Sequence, residues 1–217
     1  GETRIELLGR NRVIMSSIIE HLMAVNQSAV LLIVSNPVDV LTYMAQKMSG
    51  LPAGQVIGSG TVLDTARLKY LVGQHLNVDS RNVHAFIIGE HGDSELAVWS
   101  SANISGVDLA DYCRITGKDD SFGAMQRIYE NVRDAAYSII EGKGATYYGI
   151  GMAVRRIAEA IVRDEHSVLP VSSMISGHYG VDGICLGLPA VVGRNGAESV
   201  LDIPLSQDEL FQLQSSA

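Results

Sequence analysis

The segment 83–94, VHAFIIGEHGDS, constrains the fold of this chain more than any other part of the sequence. An apolar run at 85–88 stops at Gly89 and is followed by the residues EHGD. A short apolar run that ends at a turn signal is typical of a buried strand. His91 is therefore predicted at the end of a strand, where flanking glycines let a ligand approach the backbone closely. Taken alone, the segment also fits an exposed loop histidine.

A second buried strand is predicted at 29–34, where an unbroken apolar run is typical of a parallel strand covered on both faces. Helices are predicted on either side of it, over 5–25 and 38–48. The order helix, strand, helix indicates an open α/β sheet, whose ligands bind beyond the carboxyl ends of the strands. Asn36 lies at such an end, before a proline whose peptide bond can be cis, although Asn-Pro is also ordinary turn chemistry.

The rest of the chain continues this mixture of helices and strands. Further helices are predicted over 62–76, 121–142 and 146–162, with strands at 56–61, 96–105, 167–175, 184–192 and 199–203 and a last helix after Ser206. Thr61 is a predicted N-cap of the helix over 62–76. In the first helix, apolar side chains at helical spacing predict the face that packs on the protein: Ile5, Leu8, Val13, Ile18, Leu22 and Val25.

Asp64 and Arg67 lie three residues apart, and so share one face of the predicted helix over 62–76. The simpler interpretation is a surface ion pair that contributes a few tenths of a kcal/mol. The alternative is that both side chains face a site, where Arg67 binds a carboxylate through two parallel hydrogen bonds. The spacing alone leaves both interpretations open.

Charge and cysteine content narrow the functional classes. The net charge is −8 and no Lys/Arg cluster stands out, so a nucleic-acid surface is not expected. Cys113 and Cys185 form neither a redox motif nor a disulfide scaffold, which favours a reducing compartment. No signal peptide or membrane span is predicted, and the histidine spacing predicts no metal site. Because the chain opens on GETR without a methionine, we interpret it as a fragment of a longer protein.

Four motifs occur in the order IVSNPVD, SGTVLDTARLKY, IIGEHGDS and KGATYYGIG, and together they resemble the L-lactate/malate dehydrogenase family. The combination of GEHGD with LD-x-x-R is the most specific part. The resemblance implies an α/β fold, in which the end of a doubly wound Rossmann domain over 1–57 precedes an α+β catalytic domain over 58–217. NAD is the implied cofactor. No G-x-G-x-x-G motif is present, so the fragment alone is not expected to reduce pyruvate.

The resemblance also implies a role for each matching residue. His91 is the implied acid/base, Asp64 the carboxylate that orients it, and Arg67 the side chain that binds the substrate carboxylate. Arg4 matches the arginine that polarises the reacting carbonyl group and contacts the substrate. Further contacts are implied for the substrate at Asn36 and Thr146, and for the nicotinamide at Asn36, Ser59 and Ile150.

The identity of the substrate is less strongly determined. A small, uncharged Thr146 within KGATYYGIG favours pyruvate and L-lactate, while L-malate activity and a non-catalytic fragment that keeps only oligomer surfaces remain alternatives. The resemblance implies a cytoplasmic homotetramer whose partner is a small 2-keto or 2-hydroxy acid. It also suggests a regulatory phosphate site at Lys69 and His84, where members activated by fructose 1,6-bisphosphate carry an Arg and a His.

Overall fold

The computed structural model of the protein describes residues 4–118, 121–144 and 146–217. Within these residues the helices are α1 (Arg4–Val25), α2 (Val38–Ser49), α3 (Val62–Leu76), α4 (Leu109–Ile115), α5 (Ser121–Arg133), α6 (Ala135–Lys143), α7 (Tyr148–Val162) and α8 (Gln207–Ser216). The strands are β1 (Leu31–Ile33), β2 (Val56–Gly58), β3 (Val83–Ile88), β4 (Leu96–Ile104), β5 (Val107–Asp108), β6 (Ser167–Met174), β7 (Cys185–Gly193) and β8 (Gly196–Val200). This arrangement confirms the predicted α/β class.

The strands form two sheets. The larger has the order β1-β2-β6-β7-β8, in which β1 and β2 are parallel and the later pairs are antiparallel. The smaller is the antiparallel sheet β3-β4-β5. The predicted domain boundary falls within β2, and Gly58 of that strand pairs with Ser172 of β6. One sheet therefore contains strands from both predicted domains, and the division into 1–57 and 58–217 stays a prediction.

The glycines on either side of Ser59 are required by close packing. A Cβ atom on Gly58 would lie 2.4 Å from the Thr42 hydroxyl oxygen, and one on Gly60 would lie 2.5 Å from the Ser172 backbone nitrogen. Gly60 also has a φ of +51°, a conformation that glycine adopts at little cost. The Gly-Ser-Gly turn therefore allows β2 to pass between α2 and β6 before α3 begins.

The helix α1 begins one residue before the predicted start and ends at Val25 as predicted, but the prediction of its buried face was wrong. Val13 is 71% exposed, and Ile18, Leu22 and Val25 are exposed as well. Ile19 is buried instead, at 2% exposure, and its cluster also includes the half-buried residues Met15 and Met23. Apolar residues occur around most of this helix, so their spacing could not identify the packed side. The side chains of residues 5 and 8 lie outside the described part of the structure.

Several boundaries also differ from the predictions, and the following are examples. The helix predicted over 121–142 is divided at Asp134 into α5 and α6. The last strand begins at Gly196 rather than at 199, because Gly193 and Gly196 pair directly across a two-residue turn. Helix α7 begins at Tyr148, two residues later than predicted. The bond between Asn36 and Pro37 is cis, as the sequence suggested.

Among the described residues, no helix has both the length and the apolar composition needed to cross a membrane.

Candidate active site

His91 and Asp64 form the centre of the candidate site. His91 follows the end of β3, and Asp64 lies in the first turn of α3. The Nδ1 atom of the imidazole is 2.7 Å from Oδ2 of the carboxylate. The Asp64 side chain is only 4% exposed, whereas His91 is 27% exposed. One edge of the imidazole thus contacts a buried carboxylate, while part of the ring remains exposed.

Two threonines at the start of α3 fix this helix to the end of β3. The Thr61 hydroxyl donates a hydrogen bond to the Ile87 carbonyl oxygen at 2.5 Å. The Thr65 hydroxyl oxygen accepts from the Ile87 backbone N–H at 2.9 Å. Thr61 is the N-cap residue of α3, as predicted, but its side chain makes no capping hydrogen bond. Its hydroxyl instead joins the helix of Asp64 to the strand of His91.

A second carboxylate, Asp39, fixes the loop that carries His91. Its Oδ2 atom accepts a hydrogen bond from the His91 backbone N–H at 2.9 Å. Asp39 lies in the first turn of α2, three residues after Asn36, and is 7% exposed. Burial raises its pKa, although hydrogen bonds from Ser172 and His91 act in the opposite direction. The motif SNPVD contained this residue, but the sequence analysis assigned it no role.

Arg67 binds the same carboxylate as His91. Its Nη1 atom is 3.4 Å from Oδ1 of Asp64, and its side chain is 21% exposed. The first turn of α7 lies beside it, because a Cβ atom on Gly149 would be 3.8 Å from Arg67 Nη2. Asp64 and Arg67 thus form the predicted ion pair, and Asp64 also contacts His91; binding of a carboxylate by Arg67 stays a prediction.

Glu95 is a third carboxyl group at this centre, and the sequence analysis missed it. Its side chain is 2% exposed, and its Oε2 atom lies 3.9 Å from His91 Nδ1. Burial and the negative charge of Asp64 raise the pKa of Glu95 to about 8, while His91 and Arg67 act to lower it. Glu95 is thus mainly uncharged at neutral pH. Its position four residues after His91 was the only signal in the sequence.

The surrounding charges also act on His91. Burial alone would lower its pKa, but the contact and charge of Asp64, with smaller contributions from Glu95 and Asp39, raise it above the ordinary value. An imidazole with a raised pKa stays protonated to higher pH, so its capacity to donate a proton is present below that pKa and lost above it. The site therefore suits proton donation near neutral pH.

The other predicted contact residues lie on several different elements. Asn36 is exposed just beyond β1, and its backbone oxygen accepts from Asn11 Nδ2 at 3.2 Å. Ser59 is buried beyond β2, and its backbone N–H donates to Ile33 O at 2.8 Å. Thr146 is exposed shortly before α7. The helix α1 begins at Arg4, but the side chain of Arg4 lies outside the described part of the structure.

These positions fit the nicotinamide end of NAD. Asn36 and Ser59 follow two parallel, adjacent strands, and ligands of such sheets bind beyond the carboxyl ends. Ile150, in the first turn of α7, is half-buried and packs against the apolar cluster that includes Ile57 and Val62. A polar edge with an apolar wall is suited to a nicotinamide amide and ring. The roles of these residues stay predictions.

The predicted regulatory residues lie on adjacent elements. Lys69 is half-buried on α3, and burial lowers its pKa. His84 is exposed on β3, the strand against which α3 packs. A phosphate site formed by these two residues stays a prediction.

Comparison with known proteins identifies the family. The model of the lactate/malate dehydrogenase NAD-binding domain matches residues 1–58, and that of the lactate/malate dehydrogenase α/β C-terminal domain matches residues 61–217. The chain is 55% identical over 217 residues to the L-lactate dehydrogenase of Thermoanaerobacter pseudethanolicus, with all of the chain and 70% of the relative covered. It is 51% identical over 216 residues to that of Acetivibrio thermocellus, with 100% and 68% covered.

Solved structures agree with this assignment. A lactate dehydrogenase from a Medee basin deep-sea metagenome library matches with a TM-score of 0.96 and 48% identity, covering 100% of this chain and 69% of that one. The minor L-lactate dehydrogenase of Enterococcus mundtii matches with a TM-score of 0.93 and 39% identity, covering 100% and 68%. The chain belongs to the lactate/malate dehydrogenase family.

Proposed function

We propose that this protein is an NAD-dependent L-lactate dehydrogenase, which transfers hydride reversibly between NADH and pyruvate to give L-lactate and NAD. The observation that carries the proposal is the contact of His91 and Arg67 with one buried carboxylate, Asp64. Such an arrangement places a proton donor beside a group that binds carboxylates. Relatives named L-lactate dehydrogenase, which the whole chain matches, support this activity over L-malate oxidation.

The reaction needs a hydride at the carbonyl carbon and a proton at the carbonyl oxygen. The nicotinamide, when bound, supplies the hydride. His91 donates the proton, since its raised pKa keeps the imidazolium form available. Asp64 holds Nδ1, so that Nε2 is the edge that donates to the substrate oxygen. In the reverse direction the same imidazole accepts the proton, and Asp64 stabilises the imidazolium that forms.

Arg67 orients the substrate. We propose that Arg67 binds the carboxylate of pyruvate through the guanidinium N–H groups that do not face Asp64. A fixed orientation of the substrate lowers the entropic part of the barrier. Arg4 is assigned to the reacting carbonyl, where a guanidinium stabilises the charge that develops on oxygen. Asn36 and Thr146 are assigned to the substrate pocket, with Asn36 also contacting the nicotinamide.

The choice between pyruvate and oxaloacetate is tested by steady-state kinetics. We expect the natural full-length protein to reduce pyruvate with a kcat/KM at least about tenfold higher than that for oxaloacetate, since a small, uncharged Thr146 beside the substrate's side chain suits the methyl group of pyruvate better than a second carboxylate. A preference for oxaloacetate would establish the L-malate alternative. Absence of turnover with both substrates, together with normal NADH binding, would support the non-catalytic alternative.

The assembly and location of the protein are further parts of this proposal. We infer a homotetramer, because large apolar side chains are exposed on α1 and α7 of the single chain, among them Val13, Tyr148 and Met152. Sedimentation equilibrium tests the tetramer, and a monomer would contradict it. A cytoplasmic location is supported by the low cysteine content, because the chain has only two cysteines, Cys113 and Cys185, and both are buried. Fractionation of the source cells tests that location.

A further inference from the structure

Glu95 is a buried acid that the proposed mechanism does not use. It directly precedes β4, and its backbone oxygen accepts a hydrogen bond from the Tyr129 hydroxyl. Its Oε1 atom is buried and accepts no hydrogen bond from the described residues. Leaving a buried carboxyl oxygen without a donor costs free energy, so a structural role alone does not explain why a glutamate stands here.

The neighbours of Glu95 come from three elements. Asp64 and Arg67 face it from α3, and the charges of His91 and of Arg133 on α5 also act on it. Arg133 is itself engaged by Asp134, whose Oδ1 atom lies 2.9 Å from its Nε. Within the described residues, the one ion pair of Glu95 is the contact of 3.9 Å with His91.

Tyr129 and Asp39 complete the titratable groups around this centre. The pKa of Tyr129 is raised by burial and by the charge of Glu95, so this phenol remains neutral at the pH values considered below. Asp39, on α2, accepts a hydrogen bond from the His91 backbone N–H, and its charge raises the pKa of His91. It has no such contact with Glu95 among those described. The charge state of Glu95 is therefore coupled mainly to that of Asp64 and His91.

We propose that Glu95 is a positioning residue for the proposed reaction, a second carboxyl group that acts on the substrate through the proton held by His91. This inference rests on the proposed function. At neutral pH the carboxyl group is mainly uncharged, and Asp64 gives the imidazolium its main support. As the pH rises, Glu95 ionises within 3.9 Å of the imidazole, and its charge then favours the protonated form of His91. Glu95 thereby extends the pH range over which the enzyme can donate a proton.

The two groups then titrate as a pair, and this behaviour distinguishes the proposal from a packing role. An opposite charge at about 4–6 Å shifts a pKa by roughly 1–3 units. When Glu95 and His91 interact this strongly, His91 loses its proton over a wider pH range than an isolated imidazole does. A residue that only fills space would change stability, and would lower the rate by a similar factor at every pH.

The test compares Glu95→Gln with the unmodified natural protein. Glutamine keeps the size of the side chain and resembles the uncharged acid, so kcat/KM for pyruvate near neutral pH should be almost unchanged. At about pH 9, kcat/KM should fall roughly fivefold or more below that of the unmodified protein, because the imidazolium loses its second carboxylate. Glu130→Gln, on the exposed surface of α5, is the matched control and should follow the unmodified profile. Parallel profiles for Glu95→Gln and the unmodified protein would overturn the proposal.

A measurement without turnover keeps this inference separate from the proposed function. In protein labelled at histidine, the NMR signal of the His91 ring, assigned with His91→Asn, should titrate over a wide range in two steps. In Glu95→Gln it should titrate in one step. Single-step titration in the unmodified protein would overturn the proposal even if the variant did not fold. Failure to reduce pyruvate together with two-step titration would overturn the proposed function alone.

Discussion

Substitution of Arg67 by lysine tests how the site holds its substrate. The guanidinium contacts Asp64 through Nη1 at 3.4 Å and has further N–H groups for a substrate carboxylate. A lysine ammonium is a single point charge, and Asp64 is a buried, negatively charged partner that competes for it. We therefore expect Arg67→Lys to lose at least one of the two charge-assisted hydrogen bonds to the substrate.

The expected loss of kcat/KM follows from the number of hydrogen bonds to the substrate that are lost. A hydrogen bond to a charged group contributes about 1.5–3 kcal/mol, and each 1.4 kcal/mol corresponds to about tenfold. Because lysine keeps the positive charge, we expect a loss of about 2 kcal/mol, or roughly thirtyfold in kcat/KM for pyruvate. Most of that loss should appear as a higher KM, because the interaction exists before the chemical step.

The assay is steady-state reduction of pyruvate by the natural full-length protein, followed by the absorbance of NADH. Arg127→Lys, at an exposed position on α5, is the matched control and should leave the kinetics unchanged. Unfolding by urea checks that Arg67→Lys has not altered the fold. An unchanged kcat/KM in correctly folded Arg67→Lys would show that Arg67 serves only as the ion-pair partner of Asp64.

Three further predictions test other parts of the argument. His91→Asn should leave NADH affinity nearly intact and slow pyruvate reduction by about two to four orders of magnitude, and normal turnover would exclude it as the acid/base. Fructose 1,6-bisphosphate should lower the KM for pyruvate by about threefold or less, because Lys69 lacks the forked geometry of an arginine, and a large shift in the saturation curve would contradict this. Glu209→Gln should lower the free energy of unfolding by about 2 kcal/mol, since its Oε1 accepts from the Trp99 and Ser100 backbone N–H groups. Burial would raise the pKa of Glu209, but hydrogen bonds led by those from Ser100 hold it lower. This contribution should therefore be present above the ordinary glutamate pKa and be lost as the pH falls through the lowered one, which urea titrations at several pH values would measure.

The sequence predicted the elements that carry a local signal. The run before His91 is a strand because its apolar residues are bounded by glycine, and the helix of Asp64 and Arg67 has the predicted bounds of 62–76. The parallel pairing of β1 and β2 also agrees with an unbroken apolar run at 29–34. In each case, the residues that decide the structure lie within a few positions of one another.

What the sequence could not predict depends on contacts between distant segments. Ile19 rather than Ile18 faces α2, and only the position of the second helix decides between them. Thr61 has the residue type of an N-cap, but the carbonyl group of Ile87, 26 residues later in the chain, takes its hydroxyl. Asp39 reaches the backbone of His91 across 52 residues. No local pattern contains both partners of any one of these contacts.

The same reasoning explains why Asp64 is the central residue of this site. Its carboxylate contacts His91 through one oxygen and Arg67 through the other, so a single buried group sets the distance between the proposed proton donor and the side chain proposed to bind the substrate carboxylate. Because Asp64 and Arg67 lie one turn apart on α3, that part of the geometry is fixed by the helix itself. The position of His91 is fixed separately, by the backbone hydrogen bond to Asp39. In a 2-keto acid the carboxylate and the carbonyl group are adjacent. Such a substrate matches the imidazolium of His91 and the guanidinium of Arg67, which both contact Asp64. A substrate with a longer distance between its carboxylate and its carbonyl group would require one of these two side chains to move away from Asp64.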